Sequence, residues 1–281
     1  MGARLARRSV RRILQKLRYR RLSLRGVPVL FANSFPKSGT HLLTQVLHGF
    51  IRLGPAVESG LPAIVTFQGD SGRQRETDEI RDDLRRLLPG DIAYGHLHAS
   101  PETVDMLCSS GFASYLIMRD PRDVVISHVH YVTEMEPNHA HHRYYTQELS
   151  SFEQRLRTSI LGLPQAEIPF PDIRLRLEPY LGWLELPEVA CLQYEAFGAD
   201  PQKFLQRVLE HAIRGGFPCR LPTEQALQEL RAAIDPRRSP TFRQGKSGGW
   251  REDFDPESKR LFKEVAGDLL VRLGYETDQD W

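Results

Sequence analysis

Cysteine is scarce. The 281 residues hold three, Cys108, Cys191 and Cys219, far apart and in no CxxC pair, which argues against a disulfide framework and against a zinc site. No stretch approaches the roughly 18 uninterrupted apolar residues of a membrane span, and no internal repeat is visible. Acidic residues are missing from one end: residues 1–26 carry ten Lys or Arg and no Asp or Glu, so a chain of net charge +2 is net acidic beyond that arm. The arm lacks the apolar core of a secretory signal, and Ala6 stands where myristoylation prefers Ser or Thr. A soluble protein of a reducing, cytoplasmic compartment is expected, with no nucleic-acid partner.

Hydrophobic residues at 40% and charged residues at 26% are ordinary for a globular chain. The expectation is a basic N-terminal arm over 1–26 and one domain over 27–281. Within the arm, Leu5, Val10, Ile13, Leu14 and Leu17 mostly fall at helical spacing. Two readings stay open: a solvated tail or helix packed on the domain, or a basic amphipathic helix in peripheral contact with an anionic membrane.

Residues 27–35 (VPVLFANSF) form a short apolar run that reads as a buried strand stopped by Pro36. Leu42, Leu43, Val46, Leu47 and Phe50 follow at helical spacing, with Thr40 as the expected N-cap. A charge-laced helix is expected over 74–88, a strand over 91–97, a helix over 101–110, a strand over 113–118 and a helix after Pro121. A third apolar strand over 188–194 precedes a helix from Pro201 to Ile213. Strands alternating with helices predict an α/β fold with a central parallel sheet flanked by helices, and ligands at the carboxyl ends of its strands. The stretch 134–172, rich in His and Pro, reads as helix and loop over a substrate cleft.

The segment Pro36-Lys37-Ser38-Gly39-Thr40 joins the first strand to the helix after it. Such a junction presents unpaired N–H groups and the positive end of a helix dipole, which bind anions. Gly39 permits close backbone approach, Ser38 and Thr40 add hydroxyls, and Lys37 adds an ammonium. The nucleotide-kinase pattern GxxxxGK[ST] differs, because here the lysine precedes the glycine. In those enzymes the Ser or Thr after the lysine holds magnesium; the expectation here is a less highly charged group, such as a sulfuryl, for which lysine and backbone donors suffice with no metal required.

FPKSGTHLL resembles the 5′-phosphosulfate loop of the cytosolic sulfotransferase family, usually YPKSGTTW. His41 stands where that family often has Thr, and Leu42 where it has a Trp that stacks near the adenine. The resemblance implies 3′-phosphoadenosine 5′-phosphosulfate as donor, adenosine 3′,5′-bisphosphate as product, and a P-loop-like site of Lys37, Ser38, Gly39, Thr40, His41 and Leu42. YLIMRDPRDVVISHVHY resembles the family's 3′-phosphate motif, with Arg119 and Ser127 in the clamping positions. FRQGKSGGWREDF resembles its glycine-rich RKGxxGDWxxxF segment, which assigns Arg243, Gln244 and Gly245 to the nucleotide and Trp250 and Phe254 to packing. Tyr194, in LQYEAF, matches a tyrosine beside the adenine. The four segments run in the family's order.

Sulfuryl transfer to a hydroxyl or amine needs a base, and an imidazole of pKa near 6.5 suits neutral pH. His96, in AYGHLHASPE, stands at the position of the family's catalytic histidine, with His98 as its competitor; Lys37 is the second catalytic candidate. Asp123 is expected to cap or brace its helix. His139, His141 and His142, with His128 and His130 nearby, read as a polar lid or part of an acceptor pocket rather than a metal site. Small-molecule, carbohydrate and lipid acceptors all stay open, as does the oligomeric state, since the family's dimerisation pattern KxxxTVxxxE is not found. Two rivals remain: a P-loop-type phosphoryl transferase, and a non-catalytic protein that binds adenosine 3′,5′-bisphosphate.

Overall fold

The computed structural model describes residues 2–21, 23–238 and 247–281. In chain order it begins with α1 (Gly2–Arg18), β1 (Val29–Ser34), α2 (Thr40–Leu53), β2 (Val57–Glu58), β3 (Ile64–Val65), α3 (Thr77–Arg85), β4 (Asp91–His96), α4 (Pro101–Leu107), β5 (Phe112–Met118) and α5 (Pro121–His130). Two π-helical turns, Tyr131–Met135 and Tyr144–Glu148, lead into α6 (Phe152–Leu161) and α7 (Ile173–Leu181). A 3-10 turn, Gly182–Glu185, then precedes β6 (Val189–Gln193), α8 (Tyr194–Ala199), α9 (Pro201–Arg214), α10 (Thr223–Ala232), α11 (Trp250–Asp253) and α12 (Pro256–Arg272). The chain divides into two compact units, Met1–Thr66 with Arg75–Met118 and Gly182–Pro240, and Phe67–Gln74 with Arg119–Leu181 and Thr241–Trp281.

The first unit holds a six-stranded sheet of order β2-β4-β1-β5-β6, with β3 also paired to β4. Every pairing is parallel, as the helix between each pair of apolar runs requires. Leu30, Ala32, Ala113, Tyr115, Ile117, Ala190 and Leu192 face one core with Leu43, Val46, Leu47 and Phe50 of α2, Phe204, Leu205 and Val208 of α9, and Leu227 and Leu230 of α10. On β5 the alternate residue Ser114 turns to the other face, where its hydroxyl donates to the Leu107 carbonyl at the end of α4 (2.6 Å). The expected α/β fold with a central parallel sheet flanked by helices is the one observed. No described helix is long and apolar enough to cross a membrane.

The second unit is helical, with α5, α6, α7 and α12 packed together. It contains a buried, ion-paired guanidinium. Arg122, 1% exposed, forks onto the Asp120 carboxylate (2.9 and 2.7 Å) and reaches Glu276 (2.6 Å). The Trp250 and Trp281 rings lie 3.7 and 4.4 Å from it. Asp120 also caps α5 by accepting from the Arg122 N–H (2.9 Å).

The basic arm is a helix packed on the first unit, and it packs by its charged face. The Asp91 side chain is completely buried. It pairs with Arg8 and with Arg12 (2.9 Å), and accepts from the Leu88 N–H (2.8 Å). Arg8 also donates to the Arg86 carbonyl and Arg12 to the Pro89 carbonyl, both at 2.9 Å, and Arg11 pairs with Glu58 (2.6 Å). Removing the charge of Asp91 leaves two inward-facing guanidiniums uncompensated, at a cost of about 3 kcal/mol or more. Asp91→Asn is therefore expected to release α1, read as faster tryptic cleavage within residues 2–18 and a lower urea midpoint.

Candidate active site

Three carboxyl strand ends of the first unit carry the polar residues singled out in the sequence. β1 ends at Ser34, and the chain turns through Phe35–Gly39 into α2. Lys37 (φ 69°) and Gly39 (φ 101°) are both left-handed, which turns the chain from the loop into the N-terminus of α2. Gly39, not Thr40, is the N-cap residue; Thr40 is already helical. The residue preference that favoured Thr40 is overridden because position 39 needs a positive φ and has no room. A Cβ there would lie 2.5 Å from Cδ2 of Tyr194 and 3.2 Å from Cδ1 of Ile117. Tyr194, the first residue of α8, is thus packed on the glycine of the loop.

The hydroxyl of Thr40 is instead bonded inward, 2.7 Å from the Ser34 hydroxyl. Ser38 is fully buried, and its Oγ has no hydrogen-bond partner among the described residues. A buried hydroxyl without a partner costs on the order of 1–3 kcal/mol, and an oxyanion seated in the loop would supply the acceptor. The loop therefore fits an oxyanion. His41 and Leu42 lie on the first turn of α2, each half-buried, and Leu42 packs at the edge of the core.

His96 is the last residue of β4, beside the end of β1. Its Nδ1 lies 2.9 Å from the Ser34 carbonyl oxygen and 3.1 Å from the Ser34 hydroxyl. A carbonyl only accepts, so Nδ1 carries the proton and Nε2 keeps the lone pair in the neutral ring. Burial pushes the pKa of His96 down, the Ser34 carbonyl raises it, and the positive charges of His41 and Lys37 lower it further. The competitor His98 lies past the strand end. Its pKa is pushed by burial down to about 4, and its backbone is fixed by Thr66 and Thr103.

What holds β4 at this depth is Asn33, which in the sequence is one more residue of an apolar run. Its side chain donates to the Leu97 carbonyl (2.9 Å) and accepts from the Leu97 N–H (2.8 Å). Trp183 Nε1 donates to the same carbonyl (2.8 Å). A buried Asn one residue before a strand end, opposite another strand end, is the signal that could have found it. Gly95 is also required, since a Cβ there would meet the Ile64 carbonyl of β3.

In the second unit, Arg119 follows β5 directly and its Nη2 lies 3.4 Å from Asp123 Oδ2. Ser127, eight residues on, is half-buried on α5. Asp123 accepts from the backbone N–H groups of Gly248 (2.7 Å) and Trp250 (3.0 Å); it braces the C-terminal segment, whereas the cap of α5 is Asp120. Arg243, Gln244 and Gly245 lie outside the described residues. The histidine-rich stretch forms a packed ring cluster. His128 stacks on Phe170 (4.8 Å, 12°) and bonds the Ser159 hydroxyl (3.0 Å), His141 bonds the Ile168 carbonyl (2.9 Å), and His139 sits 5.8 Å from the His128 ring. Among the described residues no group of three or more His, Cys, Asp or Glu is arranged to hold a metal.

No protein-family model and no curated protein matches the chain. Solved structures do: its fold is that of sulfotransferases of the parallel-sheet type. The chain is similar to mouse sulfotransferase SULT7A1 complexed with PAP, at TM-score 0.58 and 20% identity over 89% of this chain and 86% of that one. It is similar also to retinol dehydratase, in complex with androsterone and inactive cofactor PAP and in complex with retinol and PAP, each at TM-score 0.57 and 16% identity over 86% of this chain and 80% of that one.

Two outcomes follow from this geometry. Gly39→Ala forces a strained φ and a ring clash, and is expected to cost about 1–3 kcal/mol, measured as a lower Tm. The pKa values of His41, His48, His96, His98, His139, His141 and His211 are all lowered, in each case first by burial. The unfolded chain binds more protons, so stability is full above about pH 6.5 and falls as the pH drops toward about 4, the value for His98 and His139. Urea midpoints measured across that range check the slope; a flat profile contradicts it.

Proposed function

We propose that the protein transfers a sulfuryl group from 3′-phosphoadenosine 5′-phosphosulfate to a hydroxyl or amine of a small-molecule, carbohydrate or lipid acceptor, with residues 27–281 acting as one transferase domain. The observation that carries this reading is His96. Its Nδ1 is committed to the Ser34 carbonyl at the end of β1, which leaves Nε2 as a proton acceptor next to an anion-binding loop. The fold shared with PAP-bound sulfotransferases supports the choice of donor.

In this reading the amides of residues 38–42, Thr40 among them, and the hydroxyl of Ser38 hold the oxygens of the 5′-phosphosulfate. Lys37 offsets the charge that builds on the bridging oxygen as the S–O bond breaks. His96 takes the acceptor's proton as its oxygen attacks sulfur in line, and the sulfuryl group leaves the phosphate, which departs as adenosine 3′,5′-bisphosphate. Arg119 and Ser127 hold the 3′-phosphate, as would Arg243, Gln244 and Gly245, and Tyr194 lines the adenine side. No metal is assigned a role. All three cysteines are free, which suits the reducing, cytoplasmic setting of this reading.

The test is a donor-dependent assay against pooled phenols, steroids, sugars and lipids, read as a mass gain of one sulfonate. Binding of adenosine 3′,5′-bisphosphate without transfer to any pool supports the non-catalytic rival, and magnesium-dependent ATP turnover supports the phosphoryl transferase. His96→Ala is expected to lower turnover by about 10²-fold or more with nucleotide affinity near wild type. In the wild-type enzyme the base must be neutral, so kcat/KM falls as the pH drops through the His96 pKa. That limb is expected below the ordinary imidazole value of about 6.5; normal turnover in the alanine variant removes His96 from the mechanism.

A further inference from the structure

α1 is built inside out. Val10, Ile13, Leu14 and Leu17, at i, i+3, i+4 and i+7, form one continuous stripe, and they are 55%, 57%, 58% and 70% exposed. The opposite face, with Arg8, Gln15 and the following Tyr19, is buried. An amphipathic helix on a globular protein ordinarily buries its apolar stripe. Here the helix cannot roll over to do so, because Arg8 and Arg12 are tied to the buried Asp91 and to the Arg86 and Pro89 carbonyls. Arg11 is tied to Glu58 as well, and Arg220 donates to the Tyr19 carbonyl (2.8 Å) at the helix end.

Along α1 and the residues just after it the charge has one sign, and Glu58, which reaches the helix from β2, is already paired with Arg11. Arg7 and Arg18 are exposed along the helix, Arg20 and Arg25 just beyond it, and residues 1–26 contain no acidic side chain. We propose that this face of α1 docks on a bilayer surface carrying anionic headgroups, with Val10, Ile13, Leu14 and Leu17 entering the headgroup and acyl boundary and the arginines meeting lipid phosphates. Apolar area and basic charge act together in such binding. A second copy of the chain is the poorer occupant: a two-fold pairing of the stripes would set one arginine rim against the other, with no carboxylate in either arm to relieve it. A membrane supplies both the apolar phase and the counter-charge.

The proposal is independent of the transferase reading and is tested without an activity assay. The full chain is sedimented with phosphatidylglycerol vesicles, with phosphatidylcholine vesicles, and alone. Pelleting is expected with the anionic vesicles, much less with the zwitterionic ones, and weakened as salt is raised to about 0.5 M. Ile13→Gln with Leu17→Gln changes exposed positions outside the Asp91 network and is expected to lower vesicle affinity at least about tenfold with an unaltered Tm. Arg7→Gln with Arg18→Gln is expected to remove the preference for anionic lipid. Failure of the wild type to pellet with anionic vesicles, or equal pelleting of the stripe variant, overturns the proposal. So does a wild-type dimer that the stripe variant converts to monomer in the absence of vesicle binding.

Discussion

The side-chain amide of Asn33 donates to one end of Leu97 and accepts from the other, replacing with a side chain the ladder that the two backbones no longer make beyond Asn33 and Gly95. A parallel sheet splays where its strands leave for different loops, and the residues just past the last backbone pair are normally the least fixed. Here side chains hold them. The Leu97 carbonyl takes a second donor from Trp183, and Ser34, next to Asn33, bonds the His96 ring. The loop from Phe35 to Gly39 and the imidazole at the end of β4 are therefore referenced to the same two residues of β1. A shift of one relative to the other requires breaking buried hydrogen bonds, each worth roughly 1 kcal/mol net and more if left unmade.

Charge is used in both units to fix segments that apolar contact alone would leave free to slide. Arg122 is held by Asp120 and Glu276 against two indole rings set edge to face, and this ties the end of the chain to the start of α5. Asp91 does the same for α1. A forked guanidinium on a carboxylate has one good geometry, whereas an apolar face tolerates many. The cost is desolvation, which a buried pair only just repays; the gain is orientation. In α1 that orientation is the unusual one, since it spends the polar face on the protein and leaves the apolar face outward.

The longer strands were legible because buried parallel strands read as unbroken apolar runs, and the runs over 27–35, 113–118 and 188–194 correspond to β1 (Val29–Ser34), β5 (Phe112–Met118) and β6 (Val189–Gln193). The loop was legible because it packs its chemistry into five consecutive residues. Less legible were the features that depend on partners distant in sequence. Asn33 gains its role from Leu97 and Trp183, and Gly39 gains its constraint from Tyr194. α7, α10 and α12 were not singled out. In α7 the apolar positions are broken by Arg174, Arg176 and Pro179, and in α12 the helix is kinked at Ala266, so neither shows a clean period. The stripe on α1 was visible, but which face docks depended on Asp91, roughly eighty residues away and unremarkable in its own segment.

The partner of His96 has a chemical consequence. In a serine-protease arrangement the second ring nitrogen faces a carboxylate, which stabilises the imidazolium and raises basicity. Here Nδ1 faces a neutral carbonyl, while burial, Lys37 and His41 all disfavour the protonated ring. The imidazole is consequently neutral and ready at physiological pH but is a weaker base than one backed by a carboxylate. Such a base serves best when the proton moves late, after the sulfur–oxygen bond to the leaving phosphate has begun to lengthen and the attacking oxygen has already become acidic. In the proposed reaction, most of the barrier lowering would then come from the other side of the transferred group, where charge grows on the bridging oxygen. Lys37 is the residue that the proposal assigns to that side, and its backbone is left-handed (φ 69°), a conformation that a lysine adopts only when the surrounding structure imposes it.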